Sequence, residues 1–131
     1  MIGLDTNIVV RYLTQDDPAQ SQRAAGIIER ELTERNPGFI SLVAMVEVVW
    51  VLDRVYGLSA AEIAKTVEHI LATDVLVVQY EQEVFTAMIA LKQGRARFSD
   101  ALIVALGETA GCSYTLTFDR KALRIPGVKL A

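Results

Sequence analysis

Four acidic residues, Asp5, Glu47, Asp100 and Asp119, are spaced along the chain so that each falls near the end of a short apolar run or the start of a helical pattern. Carboxylates with no His or Cys nearby suit a hard cation with oxygen ligands, Mg²⁺ or Mn²⁺ rather than Zn²⁺. Such ions take few protein carboxylates and fill their shell with water and substrate phosphate oxygens. Two of them can clamp both the attacking and the leaving oxygen of an in-line displacement. Hydrolysis of a phosphodiester is the reaction that most often calls for this set.

Taken singly, three of the acids have ordinary explanations. An Asp in the first turn of a helix is favoured by the helix dipole, which covers Asp100 and Asp119. Asp5 can help cap the helix that follows it. Glu47 differs, because it is the only charged residue between Arg35 and Asp53 and has Val43 to Val46 before it and Val48 to Val51 after it. Burying a lone carboxylate costs several kcal/mol unless it is compensated. That pattern predicts a partner for Glu47, either an Arg or a cation.

The elements that must position these residues alternate between short apolar runs and longer helical patterns. Residues 1–4 form an apolar run, and Thr6 or Asn7 can cap a helix over about 8–13. Asp16, Asp17 and Pro18 restart a helix that the periodicity carries to about Arg35. Phe39 and Ile40 read as a strand and Ser41 as the next cap. Residues 42–56 form a helix apolar nearly all round, which places it centrally, with Gly57 at its end. Ser59 and Glu62 form a capping box. Residues 74–78 read as a buried strand, 81–93 as a helix stopped by Gly94, and 99–110 as a helix opened by Ser99. Residues 113–117 read as a strand, 119–123 as a helical turn and 128–130 as a last edge strand. Strands separated by helices give an α/β fold with a parallel sheet covered on both faces. Open parallel sheets carry functional residues just past the carboxyl ends of their strands, where all four acids can face.

With 131 residues, 52% of them hydrophobic, the chain suits one domain, 1–131. A domain this size buries roughly two-thirds of its unfolded surface. Cys112 is the only cysteine, which rules out an internal disulfide and is expected to be a small core residue before a strand. No targeting segment is visible and the longest apolar stretch, broken by Glu47, is too short to span a membrane, so a cytoplasmic setting is expected. The net charge of −3 hides an asymmetry: residues 1–91 hold 6 Lys/Arg against 13 Asp/Glu, and residues 92–131 hold 7 against 3. A basic C-terminal third can attract phosphate even on an acidic protein.

Four motifs in order resemble those of the PIN-domain ribonucleases: Leu4-Asp5-Thr6-Asn7, the lone Glu47 ending 41–47, Phe98-Ser99-Asp100-Ala101-Leu102-Ile103, and Leu116-Thr117-Phe118-Asp119. Order and spacing look most like the VapC-type toxins of prokaryotic toxin–antitoxin pairs, over essentially the whole chain. The resemblance implies a three-layer α/β/α sandwich around a central parallel sheet of four to five short strands. It implies a Mg²⁺- or Mn²⁺-dependent endoribonuclease with Asp5, Glu47, Asp100 and Asp119 as catalytic and metal-holding acids. Thr6, Asn7 and Thr117 match polar positions that support the site. A homodimer and a cognate antitoxin that blocks the site are implied as well. In one departure, Asp119 follows Thr117-Phe118, where many members carry a more polar segment.

Arg95 and Arg97 precede Asp100, Arg120 and Lys121 follow Asp119, and Arg11 lies one to two helical turns beyond Asp5. All five are candidates to hold RNA phosphates. His69, the sole histidine, is expected at the surface or part-buried on a helix, and Trp50 and Tyr56 are expected in the core or a dimer interface rather than stacking on bases. Two rivals are a non-catalytic binding module on the same fold and a receiver-like signalling domain. The latter needs an acidic pair after the first strand and a Lys after the last, but Asp5 is followed by Thr6-Asn7 and no well-placed Lys follows the strand at 113–117.

Overall fold

The computed structural model describes residues 1–131. They form two compact units, Met1–Glu81 and Gln82–Ala131.

The first unit is built on three short parallel strands in the order β1 (Ile2–Gly3), β2 (Gly38–Ile40), β3 (Leu76–Val78). Gly3 lies opposite Phe39, and Phe39 opposite Val77. Helices α1 (Thr6–Thr14), α2 (Pro18–Gly26), α3 (Leu42–Arg54) and α4 (Ala60–Leu71) connect them. Parallel neighbours need such crossovers, and the crossovers bury the sheet. Ile40, Met45, Val48, Leu52, Val67 and Ile70 are all but fully buried. A side chain at Gly38 would displace its neighbours. A Cβ there would sit 2.7 Å from a Leu4 methyl and 2.8 Å from a Leu32 methyl. Leu4 and Leu32 therefore close tightly over β2, and Leu4 fixes the point where β1 hands over to Asp5.

Side-chain caps set the helix starts as the sequence predicts, with one shift. Asp5 itself, not Thr6 or Asn7, caps α1. Asp17 caps α2 with Pro18 in its first turn, Ser41 caps α3, and Ser59 with Glu62 forms the capping box of α4. Gly57, at φ +63, ends α3 by donating to Asp53 O, while Leu58 donates to Leu52 O.

Two expectations fail here. Helix α2 widens into a π-helical turn over Ile27–Glu31 and stops at Leu32, short of Arg35. Thr33 and Asn36 exchange backbone hydrogen bonds in a tight turn instead, which brings the chain back to β2. Helix α3 is not buried all round either. Val43 and Trp50 are 69% and 57% exposed, and Glu47 lies on the same outward stripe.

The second unit holds most of α5 (Glu81–Lys92), then α6 (Phe98–Thr109), a 3₁₀ turn (Arg120–Arg124), and a parallel pair, β4 (Thr115–Thr117) and β5 (Val128–Leu130). Val84, Ala87, Met88, Phe98 and Leu102 are buried. Helix α6 opens at Phe98, so Ser99 lies inside it and Arg97 occupies the cap position without a side-chain bond. Asp119 caps the 3₁₀ turn. Cys112 is exposed, against the expectation of a core residue, because it lies in the loop that brings α6 round to β4. The fold is α/β with five short, all-parallel strands as expected. Hydrogen bonds join them as a set of three and a set of two. No helix is long and apolar enough to cross a membrane.

Candidate active site

In the first unit, Asp5 and Ser41 follow β1 and β2 at the same, carboxyl end of the sheet, and each caps the helix that begins there. Asp5 Oδ1 accepts from the backbone N–H groups of Asn7 (3.0 Å) and Ile8 (3.2 Å). That leaves Oδ2 facing outward, beside a hollow of about 410 Å³ lined by Gly3, Asp5, Thr6, Phe39 and Ser41, among others. The Thr6 hydroxyl donates to Glu47 Oε2 at 2.9 Å. One residue after Asp5 thus reaches across to α3 and orients the second acid. Asn7 contributes its amide to Asp5, and its side chain is exposed.

Glu47 departs from the expectation that singled it out. Its carboxylate is exposed, not buried among the valines, and its partner is a neutral hydroxyl rather than an Arg. The helical period explains this. In α3 the residues Ala44, Met45, Val48, Val49 and Leu52 take the inner face, and Glu47 falls between them on the outer one.

In the second unit, Asp100 stands in the first turn of α6, half-buried, and accepts no hydrogen bond from the chain. Asp119 Oδ1 accepts from the Lys121 N–H at 2.9 Å, and the Asp119 N–H donates to Thr117 Oγ1 at 3.0 Å. Thr117 therefore fixes the backbone from which Asp119 projects.

Within neither unit do three Asp, Glu, His or Cys side chains gather closely enough to hold a metal ion. The donor chemistry nonetheless fits Mg²⁺ or Mn²⁺. All four candidates are carboxylates with at least one oxygen unengaged. Ions of this kind accept few protein ligands and fill the remainder with water and phosphate.

The cations divide. Arg11 is committed elsewhere: Nε donates to Gln20 (2.8 Å) and Nη1 to Asp16 (2.9 Å) and the Tyr56 hydroxyl (3.2 Å). Tyr56 Oη and Thr14 Oγ1 also donate to Asp16, at 2.5 and 2.9 Å. Chiefly the Tyr56 bond, with those of Thr14 and Arg11, holds the Asp16 carboxyl below its ordinary range. Arg11 thus ties α1 to α2 and to the end of α3 instead of standing free for phosphate. The polar spacing of residues 11–16 gives no sign of Tyr56, which joins from a distance of 40 residues. Arg95, Arg97, Arg120 and Lys121 are exposed and make no ion pair. Arg95 borders a hollow of about 240 Å³ in the second unit, with Ala101, Val104 and Ile125 among its walls. His69 is exposed on α4, and Trp50, far from being core, is exposed too.

Comparison with protein families decides what these residues belong to: the family model of the PIN domain matches residues 2–128. The chain belongs to the PIN-domain family. The match spans nearly the whole chain and takes in all four acids and both compact units. This PIN domain therefore carries a nuclease-type fold, that of a hydrolase acting on nucleic acid, and the receiver-like alternative is set aside. Comparison with curated proteins gives no match.

Proposed function

We propose that this PIN-domain protein is a Mg²⁺- or Mn²⁺-dependent endoribonuclease with Asp5, Glu47, Asp100 and Asp119 as its catalytic and metal-holding acids. The family match carries this reading, because it takes in all four acids, in the order the resemblance requires. The local geometry supports it. Asp5 is fixed by two backbone amides, Glu47 is held by Thr6, and Asp119 is set by Thr117.

A bound divalent cation supplies an activated water and offsets the charge that develops on the phosphate. The chain's own residues do the rest. Asp5 presents Oδ2 while its other oxygen is tied to the start of α1. The Thr6 hydroxyl fixes the rotamer of Glu47 and leaves Oε1 for a ligand or a water. Asp100 offers an unengaged carboxylate from the first turn of α6. Arg95, Arg97, Arg120 and Lys121 offer unpaired cations for the phosphates on either side of the scissile bond.

On the resemblance to VapC-type toxins we assign the enzyme a physiological role as the toxin of a toxin–antitoxin pair. That role includes a cytoplasmic setting, a homodimer and inhibition by a cognate antitoxin at the site. A non-catalytic RNA- or protein-binding PIN domain is the competing reading, and the presence of all four acids weighs against it.

The test is cleavage of mixed single-stranded RNA by the purified full chain in Mn²⁺, with EDTA and Asp5→Asn as controls. Endonucleolytic products that vanish in both controls are expected. Undiminished cleavage in EDTA would remove the metal from the mechanism. Absence of products across broad RNA pools would favour the non-catalytic module.

A further inference from the structure

The second unit carries a feature that the acids do not explain. From Tyr114 to Phe118 the side chains alternate. Thr115 and Thr117 are half-buried, while Tyr114, Leu116 and Phe118 are 47%, 60% and 90% exposed. Leu116 lies in β4, and Tyr114 and Phe118 flank that strand on either side, so three exposed apolar side chains fall within five residues. Lys129 lies opposite Leu116 in the neighbouring strand, with its Nζ 4.3 Å from the centre of the Tyr114 ring. Single exposed apolar residues are ordinary, but three within one five-residue segment, beside a cation, point to an interaction surface.

Charge identifies the occupant. Residues 82–131 hold 7 Lys/Arg against 4 Asp/Glu. Lys129, Arg120, Lys121 and Arg124, on β5 and in the turn after Phe118, make no ion pair. A purely apolar partner leaves these cations unused. Duplex RNA offers phosphates but keeps its bases in the stack. Single-stranded RNA presents base faces and phosphates together, and stacking on aromatic side chains beside cations is how such strands are held.

We propose that the outward face of β4 and β5 is a stacking platform for unpaired bases of an RNA substrate. Phe118 and the face of the Tyr114 ring opposite Lys129 take the bases, and Lys129, Arg120 and Lys121 take the phosphates. The proposal rests on the ribonuclease reading above and names its substrate class, single-stranded RNA. Phe118 directly precedes Asp119, so a base stacked on Phe118 brings its backbone to the neighbourhood of that carboxylate.

The test measures binding of the full chain in EDTA, where nothing is cut, to a labelled unpaired RNA and to an oligomer of the same sugar–phosphate backbone without bases. Phe118→Ala and Tyr114→Ala are each expected to weaken RNA binding on the order of tenfold and to leave binding of the abasic oligomer unchanged. Phe118→Trp is expected to restore affinity. Phe118 is so exposed that its removal does not threaten folding, which circular dichroism checks. Equal affinity of the wild type for the abasic oligomer, or unchanged RNA affinity in Phe118→Ala, overturns the platform. A variant whose only change is its sedimentation as a free protein also overturns it, since the face is then covered by a second copy. Cleavage of the same RNA in Mn²⁺ is followed in parallel. Cleavage with a dispensable Phe118 defeats the platform alone. A wild type that neither binds nor cuts RNA defeats the ribonuclease reading itself.

Discussion

The two compact units use charge in opposite ways. Met1–Glu81 holds 6 Lys/Arg against 12 Asp/Glu, and Gln82–Ala131 holds 7 against 4. In the first unit Arg11, Arg23 and Arg54 lie against Asp16, Glu31 and Asp53. In the second, Arg95, Arg97, Arg120, Lys121, Arg124 and Lys129 meet no carboxylate. Exposed pairs contribute only ~0–1 kcal/mol each, so what differs is availability rather than strength. An Arg already held by Asp16 must give up that partner to bind a phosphate, whereas these six cations have no carboxylate to give up. The first unit ties three of its cations to carboxylates, and the second leaves six of its own without one.

Three sets of substitutions probe that difference. The largest effect is expected for Thr6→Val, which removes the hydroxyl that orients Glu47 while the Asp5 caps stay intact. Losing a partner that orients a metal-holding group typically costs 10–100-fold, so cleavage and Mn²⁺ affinity are expected to fall by roughly that factor, with melting temperature unchanged. A smaller effect is expected from the cations. In salt titrations of RNA binding, removing Arg120 or Lys121 is expected to reduce the slope of log K against log salt by about 0.7 for each phosphate no longer neutralised. Arg11→Lys is expected to leave the slope as it was. A slope near zero for the wild type would end the phosphate assignment. The smallest effect concerns the first unit's network. Asp16 is held below its ordinary value of 3.8, chiefly by Tyr56. Its contribution to stability is therefore complete above that value and is lost as pH falls through the lowered one. Tyr56→Phe is expected to lower stability at neutral pH slightly and to weaken the dependence on pH below about 4. Denaturant titrations at pH 7 and at acid pH compare the two.

Much of this is legible in the chain. The caps at Asp17, Ser41 and Ser59 and the stop at Gly57 are readable because each rests on a local hydrogen bond or a local backbone demand. The four acids are legible as an ordered set, and all four lie within the span of the family match. Burial is the wrong reason for singling out Glu47, because a run of valines does not tell which of its members faces out. The commitment of Arg11 is invisible in sequence because its partner Tyr56 lies far along the chain. The exposure of Tyr114, Leu116 and Phe118 in and around β4 is hidden by the composition of that segment. Tyr114 to Phe118 alternates aromatic or aliphatic with Thr, a pattern that ordinarily turns the apolar side inward, and here it is the threonines that are half-buried.

If Asp5 and Asp100 are both metal-holding acids, neither is dispensable for metal binding. Calorimetric titration of Mn²⁺ into the wild type, Asp5→Asn, Asp100→Asn and the double variant tests this. Each single variant is expected to lose the binding event of the wild type, and the double variant to lose nothing further. An event that survives undiminished in either single variant would contradict the role of that acid in holding the metal.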